Sequence, residues 1–301
     1  MISFIVPFST IKKGHFLNLN EKNGMWDEND ESNVIYSTMK TLKNINSLKC
    51  EKEILLIDNS HTWPNYFELP NVRVIKGWQA LPKKELENIP QYMNHKDIQA
   101  SLNNIGCLTM WVSMAFHLGT QEAKGDYIVL QHNDTFYDND IMNDLIDKLN
   151  DEKLGYISVD CKKVWMSTYL SKKRLLDKYI DVVKFSPEDG GYVKTDFGFA
   201  DAYFFLTRRD FFDNYNVDWV YGDTNHGATI KCLHEGTDYL HLGPYHDNPN
   251  FNTPKDELHT YYYNDKPFLT HLKGGFSEHK MSSKHFEEEL NKYFTGLNNA
   301  N

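Results

Sequence analysis

Short apolar runs that stop abruptly at polar residues recur through the first half of the chain. ISFIVPF (residues 2–8) closes on Ser9-Thr10, EILLIDNS (53–60) ends in Asp58-Asn59-Ser60, and GDYIVLQHND (125–134) ends in His132-Asn133-Asp134. NVRVIKG (71–77) is a fourth run of the same kind. Apolar runs of this length without alternation predict strands covered on both faces. Between them the spacing changes. Ile35, Met39, Leu42 and Ile45 predict a helix over 33–46 with Ser32 as its N-cap, a second helix is expected over roughly 106–123, and Ile141, Leu145, Ile146 and Leu149 mark a third. Residues 9–31 are polar and read as a long loop. The second half is less regular. Strands are expected at 154–160 and 197–207, short apolar runs lie at 238–243 and 267–272, a basic amphipathic helix is expected at 168–183, and a terminal helix at 283–295. No internal repeat and no linker interrupts the order, so one α/β domain is expected over 1–301.

Strands alternating with helices imply a mostly parallel central sheet with helices on both faces. In such sheets ligands bind beyond the carboxyl ends of the strands. All three polar exits fall there, and the exit in IVLQHNDTFYD (128–138) delivers a histidine and an aspartate two residues apart. That is either an ordinary strand-to-loop exit or a pair of metal-binding side chains at the rim of a sheet.

Composition narrows the partners. Of 301 residues, 25% are charged and 40% hydrophobic, and the formal net charge is −10. Unaided binding to nucleic acid is therefore not expected. Only four of the 32 basic residues are arginine (Arg73, Arg174, Arg208, Arg209), so an anionic substrate calls for a metal or a local cationic cluster. Cys50, Cys107, Cys161 and Cys232 are too scattered for a zinc framework or a disulfide scaffold. No apolar run approaches the roughly 18 residues of a membrane span, and MISFIVPFST does not read as a signal peptide, so a cytoplasmic location is expected.

Taken in order, these segments resemble the family 2 glycosyltransferases, whose fold is termed GT-A. FIVPFST resembles the family's first strand and turn, and EILLIDNSH its second strand ending in Asp-Asn. AFHLGTQEAKGDYIVLQHND (115–134) resembles the segment that carries the family's Asp-x-Asp metal motif, with Gly119, Ala123, Gly125, Tyr127 and Asp134 in register. YGDTNHG (221–227) resembles the family's later acidic segment. The likeness covers most of residues 1–236. It departs at Phe116-His117, where the family has Arg-Asn, at His132, where it has the first acid, and at Gly222, where glutamate is common.

The resemblance implies a GT-A domain whose residues 1–135 bind a nucleotide-diphosphate sugar and whose residues 136–301 hold the acceptor and close the site. It implies an inverting, metal-dependent transfer of a sugar to an acceptor hydroxyl, with a UDP-sugar favoured as donor. Asp134 is then the principal metal contact and His132 its companion. A His/Asp pair suits Mn²⁺ better than Mg²⁺. A third contact is expected from a late histidine, His241, His246 or His271, with His271 preferred for its place in THLKGGFS (270–277). Asp58 and Asn59, with Pro7, Phe8 and Ser9, are expected to line the nucleotide pocket, and His117 and Asn133 to join it. Asp223 is the candidate general base and Asp201 the alternative. A sugar nucleotidyltransferase, or a GT-A protein that binds without turnover, is the competing expectation.

Overall fold

The computed structural model describes residues 1–9, 31–64, 68–77, 108–161, 199–213, 226–243, 246–247 and 258–272. Strands β1 (Ile2–Phe8), β2 (Lys52–Asp58), β3 (Val72–Lys76) and β4 (Tyr127–Gln131) correspond to the four apolar runs and lie parallel in one sheet. β5 (Thr135–Tyr137) follows at once but belongs to a second sheet. The first sheet is completed by β6 (Tyr156–Cys161), β7 (Phe199–Arg208) and β8 (Leu240–Leu242), in the order β3-β2-β1-β4-β7-β6-β8. β7 is antiparallel to both β4 and β6, so the sheet is mixed, with one reversed strand among parallel ones.

The central strands carry no polar face because their alternate residues feed two cores. Ile2, Phe4, Val6 and Phe8 pack with Ile54, Leu56 and Val129 beneath α1 (Glu31–Ser47) and, after α2 (Leu108–Glu122), beneath α3 (Met142–Asp151). Ile5, Leu55, Ile57, Ile128 and Leu130 face the other way, against Ala115 and Phe116 of α2, Phe211 of α4 (Arg209–Asp213) and Ala228 and Cys232 of α5 (His226–Glu235). Burying both faces is what makes the strands read as unbroken apolar runs. Two glycines of the family-like segment have packing reasons. A Cβ at Gly119 would lie 2.2 Å from Ile5 Cγ2, so its absence lets α2 sit directly on β1. A Cβ at Gly125 would lie 2.6 Å from the backbone nitrogen of Ser3, whose hydroxyl accepts the Gly125 N–H at 2.7 Å.

The second sheet runs β5-β11-β10-β9, where β9 is His246–Asp247, β10 Leu258–Tyr263 and β11 Lys266–Leu272. β10 and β11 form a hairpin whose turn residues Asn264 and Asp265 both have positive φ, 49° and 61°. Asn and Asp tolerate that conformation, and it suits the twist of a tight two-residue turn. Of this sheet, only the β11 run stood out by hydrophobicity alone. Helices α4 and α5 likewise have no strong apolar period and were not expected. The helices expected over 168–183 and 283–295 lie outside the described residues. Among the described residues no helix is long and apolar enough to cross a membrane.

Candidate metal centre

β1 runs beside β2 as far as Phe8↔Asp58, but beside β4 only as far as Ile5↔Leu130. The two strands therefore part at their carboxyl ends, between the branch of the sheet that goes to β2 and β3 and the branch that begins with β4. This is the topological switch point of an open α/β sheet, where a crevice forms. Pro7 falls beyond the last β4 pair, so its missing N–H costs no ladder bond to β4. Ser9 leaves on one side of the crevice and Gln131 to Asp134 on the other.

Residues 132–134 carry the chain from the first sheet to the second. In the second sheet β11 pairs with β5 so that His271 is opposite Thr135, next to Asp134. The hairpin thereby brings a residue 137 positions later to the turn, and His271 Nε2 lies 3.4 Å from Asp134 Oδ1. His132 Nδ1 lies 4.0 Å from the same oxygen. One donor atom from each of His132, Asp134 and His271 falls within 4.8 Å of the other two. Asp134 and His271 are buried, and His132 is half-buried.

This donor set fits a divalent cation. Bonds of about 2.0–2.2 Å hold ligand atoms roughly 3 Å apart when adjacent and about 4.3 Å apart when opposite. The three side chains therefore need only small movements to share one ion. Two imidazoles and a carboxylate suit transition metals better than Mg²⁺, which prefers oxygen. Asp134 Oδ1 is itself buried and accepts no hydrogen bond among the described residues. A buried anionic oxygen in that position is costly without a cation beside it.

Tyr203 completes one wall and was not anticipated. Its ring stacks on His271, centroids 3.5 Å apart at 20°, and meets His132 edge-on at 5.1 Å. The cause lies in β7. Between Ser158↔Phe205 and Asp160↔Ala200 the pairing slips, so two steps along β6 match five along β7. Tyr203 and its neighbour Phe204 consequently pack against the same core rather than alternating. A bulge is the usual way to re-aim a strand residue, and a single sequence gives no sign of it.

The remaining expected site residues are distributed differently. Asp58 is buried and turned into its own loop, where Oδ1 accepts from the Ser60 N–H and hydroxyl, each at 3.1 Å, and Oδ2 accepts from the Trp63 N–H at 2.9 Å. The Asn59 N–H donates to Phe8 O at 2.9 Å, and the Phe8 ring meets Trp63 edge-on at 5.0 Å. These contacts gather Phe8, Asp58 and Asn59 at the carboxyl ends of β1 and β2. Asn133, expected in the nucleotide pocket, donates from its side-chain amide to Thr38 Oγ1 of α1 at 2.9 Å. His117 lies on α2, where Nε2 is 3.1 Å from Gln121 Nε2 one turn on, and burial pushes its pKa down. Asp201 is in β7, but its side chain lies outside the described residues, as does the whole of Asp223.

Of the three late histidines the structure brings His271 to the cluster. His246 is in β9, and its side chain is outside the described residues. His241 sits elsewhere, on β8 among Tyr156, Tyr239 and Thr229. Its Nε2 is 2.9 Å from the Tyr156 hydroxyl, which is 2.7 Å from Thr229 Oγ1, and the Tyr156 and Tyr239 rings stack at 5.1 Å. Burial there pushes the His241 pKa down to about 4. The folded state thus favours neutral imidazole, while the unfolded chain takes up a proton near pH 6.5. Stability from this group is full above pH 6.5 and is lost as pH falls toward 4, amounting to about 3 kcal/mol at most. Urea unfolding of wild type and His241→Gln between pH 7 and 4 should show a steeper loss in wild type; parallel profiles would exclude a neutral His241 in the folded state.

No protein-family model matches the sequence, and no curated protein matches it. Solved structures do show likeness in shape. A mannosyltransferase from Pyrobaculum calidifontis in complex with GDP-Man and Mn²⁺ is 11% identical, with 80% of this chain and 54% of that chain covered and a TM-score of 0.43. Mouse xyloside xylosyltransferase 1 is 10% identical, with 80% and 85% covered and a TM-score of 0.39. The bifunctional IspDF from Campylobacter jejuni is 10% identical, with 81% and 49% covered and a TM-score of 0.36. This chain spans about half the length of the mannosyltransferase and of IspDF. All three scores are below 0.5, and the fold described above rests on this chain's own strand pairing.

Proposed function

We propose that this protein is a divalent-metal-dependent glycosyltransferase of the GT-A kind, which moves a sugar from a nucleotide diphosphate to an acceptor hydroxyl. The observation that carries the reading is the convergence of His132, Asp134 and His271 at the switch-point crevice. The resemblance in the sequence supplies the reaction class, and the site geometry is compatible with it. Asp134, His132 and His271 hold the cation, with Mn²⁺ favoured by the two imidazoles. When bound, it supplies positive charge to the diphosphate as that group leaves.

The chain's own residues have the other tasks. The rim formed by Phe8, Ser9 and the loop folded around Asp58 receives the nucleoside, with uracil favoured. Asp58 keeps that rim in shape through the Ser60 and Trp63 bonds. An oxygen of a carboxylate has more than one lone pair, so the base can share Asp58 with the loop. Asp223 takes the proton of the attacking hydroxyl, with Asp201 the alternative, and an inverting course follows from attack on the face opposite the diphosphate. Residues 1–135 serve the donor and 136–301 the acceptor. Release of UDP from a panel of UDP-sugars, with saccharide acceptors and Mn²⁺, tests this directly. The reading predicts acceptor-stimulated release that EDTA abolishes, and release indifferent to EDTA would overturn the metal-dependent reading.

A further inference from the structure

Helix α1 buries three hydroxyls, Ser37, Thr38 and Thr41, each fully excluded from solvent, on a helix whose other buried residues include Val34, Leu42 and Ile45. Polar side chains in such a place must be paired. Two of these three hydroxyls donate to one atom. Ser37 Oγ donates to the Asn133 carbonyl oxygen at 3.2 Å, and Thr41 Oγ1 donates to the same oxygen at 2.8 Å. Thr38 Oγ1 donates to Val34 O at 2.7 Å and accepts from Asn133 Nδ2 at 2.9 Å. Asn133 is the residue between His132 and Asp134. Its carbonyl and its side chain are both held by α1, so the helix fixes the peptide that joins the two candidate ligands.

One turn further on, the same face continues the grip. Asn44 Nδ2 donates to Tyr137 O at 3.0 Å, and the Tyr137 N–H donates to Asn44 Oδ1 at 2.7 Å. The Tyr137 hydroxyl in turn donates to Gln131 Oε1 at 2.5 Å, closing the loop from inside. Residues 37, 41 and 44 are spaced as one helical stripe. A polar stripe buried against a single turn has no use in packing that apolar residues would not serve as well.

We infer that the α1 hydroxyls, Thr41 above all, are positioning residues for the metal turn: they set the conformation of residues 132–134 and so the donor geometry of His132 and Asp134. This rests on the metal reading above, and goes beyond it by assigning the control of ligand geometry to a helix that contributes no ligand. Residues that orient ligands typically change metal affinity about 10- to 100-fold when lost.

Thr41→Val removes the hydroxyl and keeps the shape, Thr41→Ser keeps the hydroxyl, and Asn133→Ala removes the bond to Thr38. The probe is Mn²⁺ alone, with free ion counted by electron paramagnetic resonance. The second readout is the backbone order parameters of residues 132–134 in metal-free protein. Thr41→Val and Asn133→Ala should weaken Mn²⁺ about 10- to 100-fold and lower those order parameters from the rigid value of about 0.85. Thr41→Ser should restore both. Looser order parameters with unchanged Mn²⁺ affinity would overturn the inference, as would a Thr41→Ser variant no better than Thr41→Val. Should wild type not bind Mn²⁺, the metal reading falls by itself. The order parameters then decide whether α1 sets this turn: a loss in Thr41→Val restored by Thr41→Ser sustains that, and unchanged values overturn it.

Discussion

Replacing Asp134 by alanine is expected to abolish metal binding and sugar transfer while leaving the fold intact. The carboxylate is the one anionic donor of the cluster, 3.4 Å from His271 Nε2 and 4.0 Å from His132 Nδ1. Losing an anionic ligand removes several kcal/mol of attraction for the cation, and about 4 kcal/mol is roughly a thousandfold in affinity. Stability should move the other way or not at all. Asp134 Oδ1 accepts no hydrogen bond among the described residues and has only the two imidazoles beside it, so in metal-free protein the buried oxygen adds little to stability. Calorimetric titration with Mn²⁺ should therefore show roughly a thousandfold loss or more, with a melting temperature in EDTA at or above that of wild type. Turnover within tenfold of wild type would sink the metal assignment.

The second large effect concerns the base. Asp223→Asn is expected to lower turnover by about 10²- to 10⁴-fold, the usual contribution of a general base. Asparagine keeps the size of the side chain and cannot accept the proton. The Michaelis constant for the donor should change little if the proposed base acts on the acceptor hydroxyl in the transition state. Asp201→Asn should change turnover by less than tenfold. Steady-state kinetics of the two variants separate the candidates, and the reverse order of effects would transfer the role to Asp201.

Much of the fold could be read from the chain because its central strands are buried on both faces. That condition writes itself as unbroken apolar runs, and β1 through β4 follow them to within two or three residues. Asp134 and His132 were visible for a related reason, since they stand where such a run ends. His271 was harder. Its place beside Asp134 depends on a hairpin, and the hairpin's own signal, aromatic residues 261–263 followed by Asn264-Asp265, gives no indication of which strand β11 will join. Tyr203 reaches the histidines only through a register slip, which no local pattern announces.

The polar stripe on α1 left no sign in the hydrophobic pattern. The hydrophobic period put Ile35, Met39, Leu42 and Ile45 on the inner face, and of these Leu42 and Ile45 are fully buried. Ser37, Thr38 and Thr41 are buried just as completely, and in a sequence a hydroxyl aimed at a partner looks the same as one aimed at water. Asn133 illustrates the converse. A polar residue between two candidate ligands reads as a binding residue, and nothing local shows that its side chain also bonds to Thr38 of α1. Asp58 closes its own loop, a role that an Asp-Asn-Ser strand end in a sequence does not separate from binding.

The most direct test of the metal-dependent nucleotide site is thermal stability with UDP, GDP, CDP and TDP, each with and without Mn²⁺, on wild type and Asp134→Ala. At roughly a hundredfold excess over the dissociation constant a ligand adds about 2.7 kcal/mol, which for a chain of this size is a rise of about 4 °C. The expected result is such a rise for UDP, dependent on Mn²⁺ and absent in Asp134→Ala. A rise of the same size without Mn²⁺, or no rise with any nucleotide, would contradict the account.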